Sequence, residues 1–338
     1  MKRRKPVTLV DLSKELGLSV QTVSKALRGM PGMSEETRSA VIRAAYRCGY
    51  LYPQQAREMA RQGIAPYPIF RLRFILVQSR ESMNYNRLLL DGLKERFSQY
   101  DHQLDSFVLD EDLSQKAFEE WVDEHHLLHA DGLFIAPRLI SGRMESQLLA
   151  LPIAKVLINY AKPLTQVDSV VWDVCEAVCQ LADALILCGH RRLLYVGDTH
   201  SQRGYVLRWQ AYRDWVEGHG VEAQHTTVES FDNDYETYKP TAVIVGIDED
   251  CGPVYHALHR KGVAIPAGCS LLGLVNEGMP DLPGLTRSLL TIKETAYRAA
   301  DRMLWRIAHP NEPVEHTRVA GKFFAGETVR SLPGGTVQ

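Results

Sequence analysis

The chain has 338 residues, too many for one small core and suited to two or three domains. Its composition, 45% hydrophobic and 24% charged, is that of a packed globular protein and not of a disordered or acidic-tail chain. No run of 18 apolar residues is present, and Asp11, Lys14 and Glu15 interrupt the stretch where a signal peptide would need its apolar segment, so neither a membrane span nor export is expected and the chain reads as cytoplasmic.

The net charge of −2 conceals a division. Residues 1–62 hold 12 Lys+Arg against 5 Asp+Glu, or +7, while the remainder holds 27 against 36, or −9. A basic head on an acidic body is expected where only the head meets a polyanion. Three short helices are legible in that head. The first runs from Val7 to Leu16 and stops at Gly17, where a left-handed backbone is needed. Ser19 then caps a second helix, Val20 to Leu27, whose buried side is marked by Val23, Ala26 and Leu27. A third begins after the cap Ser34, with Glu35 and Glu36 in its first turn and an apolar stripe of Val41, Ile42, Ala45 and Tyr46, and Gly49 ends it. A helix, a tight glycine turn and a short second helix presenting small polar groups make a helix-turn-helix.

The free side of the second helix suits the major groove of duplex DNA. Gln21 can pair bidentately with adenine, Lys25 can reach guanine O6 or N7, and Thr22 and Ser24 can serve a base or a phosphate. Arg28 at the helix end can add a phosphate contact. Beyond Tyr50, Gly63, Pro66 and Pro68 have the character of a linker.

From Leu72 the pattern changes to short apolar runs alternating with helical segments. The runs are Phe74–Val77, Leu104–Leu109, Gly132–Ile135, Ala154–Ile158, Leu193–Val196, Ala242–Val245 and Ser270–Leu274. Helices are expected over about Asn86–Tyr100, Cys175–Leu187, Gln202–Gly218 and Pro253–Lys261, with only a loop between Thr227 and Pro240. This alternation predicts parallel sheets built from βαβ units, divided into two lobes.

Constellations that could carry other chemistry are weak. His125, His126 and His129 with Glu124 read as the exposed end of an amphipathic helix, and Asp232-Asn233-Asp234 reads as a polar turn because it lacks the glycine and distal glutamate of a calcium loop. Asp248-Glu249-Asp250 is a carboxylate cluster at a strand end with no catalytic partner in view. No GxSxG elbow, P-loop or GxGxxG is present, and the six cysteines form no CxxC pair. No catalytic residue, metal or cofactor is therefore expected, and the chain reads as a binding protein and not an enzyme.

The head stretch Val7-Thr8-Leu9, Gly17-Leu18-Ser19-Val20-Gln21-Thr22-Val23-Ser24-Lys25-Ala26-Leu27, Ser34-Glu35-Glu36-Thr37-Arg38 and Gly49-Tyr50 resembles the head of the lactose-repressor (LacI/GalR) family. The body stretches Ala130–Ile135, Cys188–Leu193, Pro240–Val243 and Leu289–Ile292 resemble the family more weakly. The resemblance implies a small all-α helix-turn-helix head over residues 1–50, a hinge helix and linker over 51–70, and an α/β body over 71–338. That body would have two parallel-sheet lobes like those of a periplasmic binding protein, the first about 71–168 and 290–330, the second about 169–289. It further implies DNA contacts from Thr8, Leu9, Ser19, Val20, Ser34, Thr37 and Tyr50, and from Ala56, Arg57 and Met59 of the hinge, where Met59 takes the place of the usual minor-groove leucine. Carried into the cleft, it points to an effector site at Ser79, Tyr85, Asn86, Asn159, Asp173, Arg208, Asp248 and Asn276.

The family reading is of a homodimeric transcriptional regulator, a repressor, on a pseudo-palindromic double-stranded operator, controlled by a small-molecule effector such as a sugar or sugar derivative. The alternative is a small-molecule-binding protein whose DNA binding is vestigial. Two departures bear on the effector. Ile247 and Val275 stand where the family commonly has polar side chains that grip sugar hydroxyls, so either the effector is not an ordinary free sugar or effector sensing is altered. No heptad tail follows Arg330, so no tetramerising extension is expected.

Overall fold

A computed structural model of the chain describes residues 7–27, 30, 32–48, 50, 72–79, 83–100, 102–109, 113–136, 141–279 and 281–333. In the head, α1 (Leu9–Leu16) starts from a reciprocal cap in which the Thr8 side chain accepts from the Asp11 N–H and Asp11 accepts from the Thr8 N–H. The sequence placed that start at Val7; the Thr8–Asp11 pair fixes it two residues later. Gly17 ends the helix at φ 64°, ψ 23°, and its N–H reaches back to the Ser13 carbonyl. Ser19 caps α2 (Val20–Leu27) through the Thr22 N–H at 3.0 Å, and Ser34 caps α3 (Glu35–Cys48) through the Thr37 N–H at 3.2 Å. Leu12, Val23, Ala26, Leu27, Val41, Ala44 and Ala45 form the core of the three helices. Arg28, Ala56, Arg57 and Met59 lie outside the described residues.

The body holds two six-stranded sheets. The first contains β1 (Arg73–Gln78), β2 (Gln103–Val108), β3 (Gly132–Ala136), β4 (Ala154–Leu157), β5 (Asp168–Trp172) and β11 (His316–Val319), in the order β2-β1-β3-β4-β5-β11 and parallel throughout. The second contains β6 (Arg192–Val196), β7 (Glu222–Thr226), β8 (Ala242–Val245), β9 (Ser270–Val275), β10 (Thr286–Leu289) and β12 (Lys322–Phe324), in the order β7-β6-β8-β9-β10-β12, with only β12 antiparallel. The central strands are continuous apolar runs because helices cover both faces of each sheet. On the first lobe α4 (Met83–Ser98) and α11 (Ile292–Ala308) cover one face, and α5 (Gln115–Glu124) and α6 (Gly142–Ala150) the other. On the second, α7 (Val174–Leu187) and α8 (Arg203–Gly218) cover one face, and α9 (Phe231–Tyr238) and α10 (Cys251–Arg260) the other.

Three expectations need correction. The lobe boundary placed after residue 168 falls inside β5, because Asp168–Trp172 pairs with β4 and β11 of the first sheet. The end of the chain, assigned to the first lobe up to 330, divides: β11 joins the first sheet, whereas β12 and the segment after it join the second, with the Leu271 N–H donating to the Thr328 carbonyl. The segment 227–240 is not a loop. It carries the eight-residue α9, anchored by Phe231 and Tyr238, and Asp232-Asn233-Asp234 lies in its first turn.

Candidate site: the head surface and the interlobe cleft

The second head helix turns two faces in different directions. Val23, Ala26 and Leu27 are buried, while Val20, Gln21 and Lys25 are exposed and Thr22 and Ser24 are half-buried. The Thr22 hydroxyl also shares a hydrogen bond with Ser19 at 2.8 Å, so these two side chains first serve the cap. Ser34 and Thr37 repeat that arrangement at the start of α3. Thr8 is committed to its pairing with Asp11. Gln21 and Lys25 thus stand out as long polar side chains on a rigid helix, the geometry that base reading requires.

In the body the chain passes between the lobes three times: after β5 at Trp172–Val174, after β10 at Leu290–Ile292, and between β11 and β12 at Ala320–Gly321. The crossings are tied to one another. The Asp173 N–H donates to the Val319 carbonyl at 2.8 Å, and the Thr291 hydroxyl donates to the Ala320 carbonyl at 3.1 Å. Tyr160 pins the first crossing: its hydroxyl accepts from the Val174 N–H at 2.8 Å and donates to the Trp172 carbonyl at 3.0 Å. Burial drives that phenol's pKa upward, so it stays a donor. Gly321 lies so close to Leu289 that a β-carbon there would sit 3.1 Å from its carbonyl oxygen and 3.0 Å from Ser288 Oγ.

The carboxyl ends of the strands face this junction, where open α/β sheets place their ligands. Tyr85, Asn159, Arg208, Asp248 and Asn276 line two small voids there, with Trp172 and Tyr205 as shared walls. Tyr85 meets Trp172 edge-on at 5.3 Å between ring centroids. Asp248 accepts from Asn276 Nδ2 at 3.2 Å, and burial raises its carboxyl pKa. Ile247 lines the same void as Asp248, and Val275 is fully buried in the second lobe's core.

The other three candidates do different work. Ser79 is buried and its carbonyl accepts from Asn86 Nδ2, while Gln78 donates back to Asn86, so Ser79 and Asn86 join the start of α4 to the end of β1. Asp173 caps α7 through the N–H groups of Cys175 and Glu176.

The voids measure about 30 and 20 Å³. Each admits a water molecule and neither admits a small metabolite, which needs about 300 Å³ or more. The cleft is closed because side chains bridge it. Arg203, at the start of α8, sets Nη2 2.9 Å from both carboxylate oxygens of Glu145 on α6, and its Nη1 donates to the Tyr160 carbonyl. Glu145 is only 4% exposed and also meets Lys162 at 3.4 Å. On the rim, Arg87 of α4 meets Glu277 of the second lobe at 2.5 Å. None of Arg203, Glu145, Arg87 and Glu277, which make the two contacts between lobes, was singled out in the sequence. An arginine and a glutamate 58 positions apart carry no spacing signal.

A larger hollow, about 590 Å³, opens at the opposite, amino ends of the first sheet. Several of its charges are already committed: Arg306 in its wall and the neighbouring Arg302 both bind the fully buried Asp168, and Lys155 donates to the Leu151 and Ile153 carbonyls. Among the described residues no group of three or more His, Cys, Asp or Glu could hold a metal ion, and no helix is long and apolar enough to cross a membrane.

Comparison with known proteins adds to this geometry. A periplasmic binding protein-like domain is recognised over residues 182–329. The chain is 22% identical over 316 residues to catabolite control protein A of Priestia megaterium, covering 86% of this chain and 91% of that protein. It is 19% identical over 327 residues to the HTH-type transcriptional regulator AscG of Escherichia coli K12, covering 89% and 92%. Among solved structures it resembles the lac repressor dimer bound to operator and the anti-inducer ONPF, with a TM-score of 0.69 at 17% identity over 97% of this chain and all of that one. It also resembles a LacI family regulator from Enterococcus faecium with bound ribose, with a TM-score of 0.64 at 18% identity over 77% of this chain and 99% of that one.

Proposed function

We infer that the chain is a member of the lactose-repressor (LacI/GalR) family and, from that premise, that it is a sequence-specific DNA-binding transcriptional regulator under the control of a small-molecule effector. The observation that carries this reading is the second head helix: capped by Ser19, seated on Val23, Ala26 and Leu27, and presenting Gln21 and Lys25 outward on a head of charge +7. That is a reading surface on a polyanion-binding unit. The chain acts as a homodimeric repressor on a pseudo-palindromic operator, two heads contacting half-sites related by the two-fold axis.

The contacts assigned by this reading are Val20, Gln21, Ser24 and Lys25 in the major groove, with Thr8, Leu9, Ser19, Thr22, Ser34, Thr37, Tyr50 and Arg28 positioning the head on the backbone. Ala56, Arg57 and Met59 act in the adjoining minor groove. The effector acts at the cleft of Tyr85, Asn159, Arg208, Asp248 and Asn276, supported by Ser79, Asn86 and Asp173. Its entry requires the lobes to part, because the voids are too small to admit it. Effector binding and DNA binding are then linked through the relative populations of closed and open lobes. The reading assigns the chain no catalytic role.

The test is selection of bound duplexes from a random library by the full chain, followed by a mobility-shift titration in salt. A specific site is expected, with log K falling against log salt at a slope of about −0.9 for each phosphate neutralised. Failure to enrich any sequence would refute the reading. Removal of residues 1–62 should abolish the shift and leave the dimer intact.

A further inference from the structure

We propose that the ligand of the interlobe cleft is a compact hydroxylated anion, its carboxylate or phosphate held by Arg208 and its hydroxyls turned toward Asp248 and Asn276. This deepens the effector site proposed above and rests on that reading of the cleft.

Arg208 is 4% exposed, and its Nε has no hydrogen-bond partner. Among the described residues no carboxylate forms an ion pair with it. The Tyr205 ring lies 5.2 Å from its Cζ, centroid to carbon. By contrast, the largely buried Arg302 and Arg306 share Asp168, and the half-buried Arg203 holds Glu145. A buried guanidinium without a counterion is costly, and removing that cost is what an anionic ligand would do. Asp173 does not serve, because its carboxylate caps α7 and faces Arg318 at 3.9 Å.

The two voids that meet at Arg208 differ in charge. The first is lined by Arg203 and Arg208 and by no carboxylate. The second is lined by Asp248, Glu249 and Asn276. An occupant spanning both therefore carries its negative charge at one end and donors at the other. Tyr85, Trp172 and Tyr205 offer aromatic faces between them to the C–H groups of a polyol or ring. Ile247 and Leu290 narrow the donor end, which limits the ligand to a short chain or single ring. Entry separates Arg203 from Glu145, and the freed guanidinium lines the same anionic pocket.

The test uses the full chain, thermal melting and titration calorimetry, with gluconate, glucuronate, glucose 6-phosphate and inorganic phosphate compared with glucose and sorbitol at matched ionic strength. At about 100 times Kd, at least one hydroxylated anion should raise the midpoint by on the order of 5 °C, and the neutral compounds should not. Gluconate and glucuronate against glucose 6-phosphate separate a carboxylate from a phosphate head group. Arg208→Met should leave the ligand-free midpoint unchanged or higher and weaken anion binding by about tenfold or more, and Arg208→Lys should restore part of it.

Equal shifts from glucose or sorbitol, no shift from any of the anions, or an Arg208→Met protein that melts lower yet binds anions as before would overturn the proposal. Inorganic phosphate matching the hydroxylated anions would overturn the assignment of Asp248 and Asn276. A neutral sugar that releases selected DNA would defeat the anion and leave the regulator standing. Anion binding by a chain that selects no duplex would do the reverse.

Discussion

Arg203 and Glu145, on different lobes, hold the cleft closed by a contact in which one guanidinium nitrogen lies 2.9 Å from each carboxylate oxygen. Because Glu145 is buried, its loss of a cation is expensive, although Lys162 remains nearby to offset part of that cost. Arg203→Ala should therefore destabilise the chain by about 2 kcal/mol and should enlarge it in small-angle scattering as the lobes part. A double-mutant cycle with Glu145→Gln should return a coupling of about 1–3 kcal/mol. Coupling near zero would mean that the pair does not hold the lobes.

The rim pair behaves differently. Arg87 and Glu277 are about half exposed, so their attraction is screened by water. Arg87→Ala should change stability by less than about 1 kcal/mol, and that small effect should vanish in high salt. A loss as large as that of Arg203→Ala would show that the rim carries the closure.

Asp250 supplies a pH dependence. Burial first, and then Glu249, Glu229 and Asp198, push its carboxyl pKa up to about 6 from the ordinary 3.8. The folded chain thus holds this proton more tightly than the unfolded chain does. Its contribution to stability falls as pH rises from about 4 to 6 and stays lost above that. Asp250→Asn should raise stability at pH 7.5 by on the order of 1 kcal/mol, allowing for solvent screening, and the gain should shrink toward pH 4. His190 works in the opposite sense, since burial lowers its pKa, so the comparison must be Asp250→Asn against the parent at each pH. A gain independent of pH would rule out titration of Asp250 as its source.

At the third lobe crossing, Gly321→Ala would bring a β-carbon against the Leu289 carbonyl and Ser288 Oγ. The expected cost is about 1–3 kcal/mol, with a shift in effector response because the crossing must also flex. An unchanged melting temperature and an unchanged response would show that this crossing can give way.

In the head, Gln21→Ala should relax selection at one base pair of the operator, costing about 1–3 kcal/mol against the preferred base, while the salt slope stays the same. Uniform weakening across all sequences would make Gln21 a backbone contact.

Much of this architecture was legible because central parallel strands are buried on both faces and so appear as apolar runs, as in Phe74–Val77 and Ala242–Val245. The strands that escaped notice are those that lack such a run. His316–Val319 and Lys322–Phe324 are short edge strands with exposed side chains. Asp168–Trp172 opens with a charged residue, and that residue is buried only because Arg302 and Arg306 meet it from 134 and 138 positions away. Helix α9 was hidden because its first turn is the polar run Asp232-Asn233-Asp234, of which the first two face solvent and Asp234 accepts from the Thr226 hydroxyl. The cleft candidates fell near the strand ends, where the rule for open sheets places them. The contacts that close the cleft were not legible, because they depend on two lobes that the chain assembles in three separate passes.

Both sheets take their outermost strand from the same stretch, β11 for one and β12 for the other, joined by only two residues. During synthesis, neither lobe can complete its edge until residues beyond 316 have emerged from the ribosome, whereas the described core of the head, with Cys48 and Tyr50 packed against it, lies within the first 50 residues. The two halves of the body must therefore mature together and late, and until then each leaves a strand edge open to mispairing with a neighbouring nascent chain.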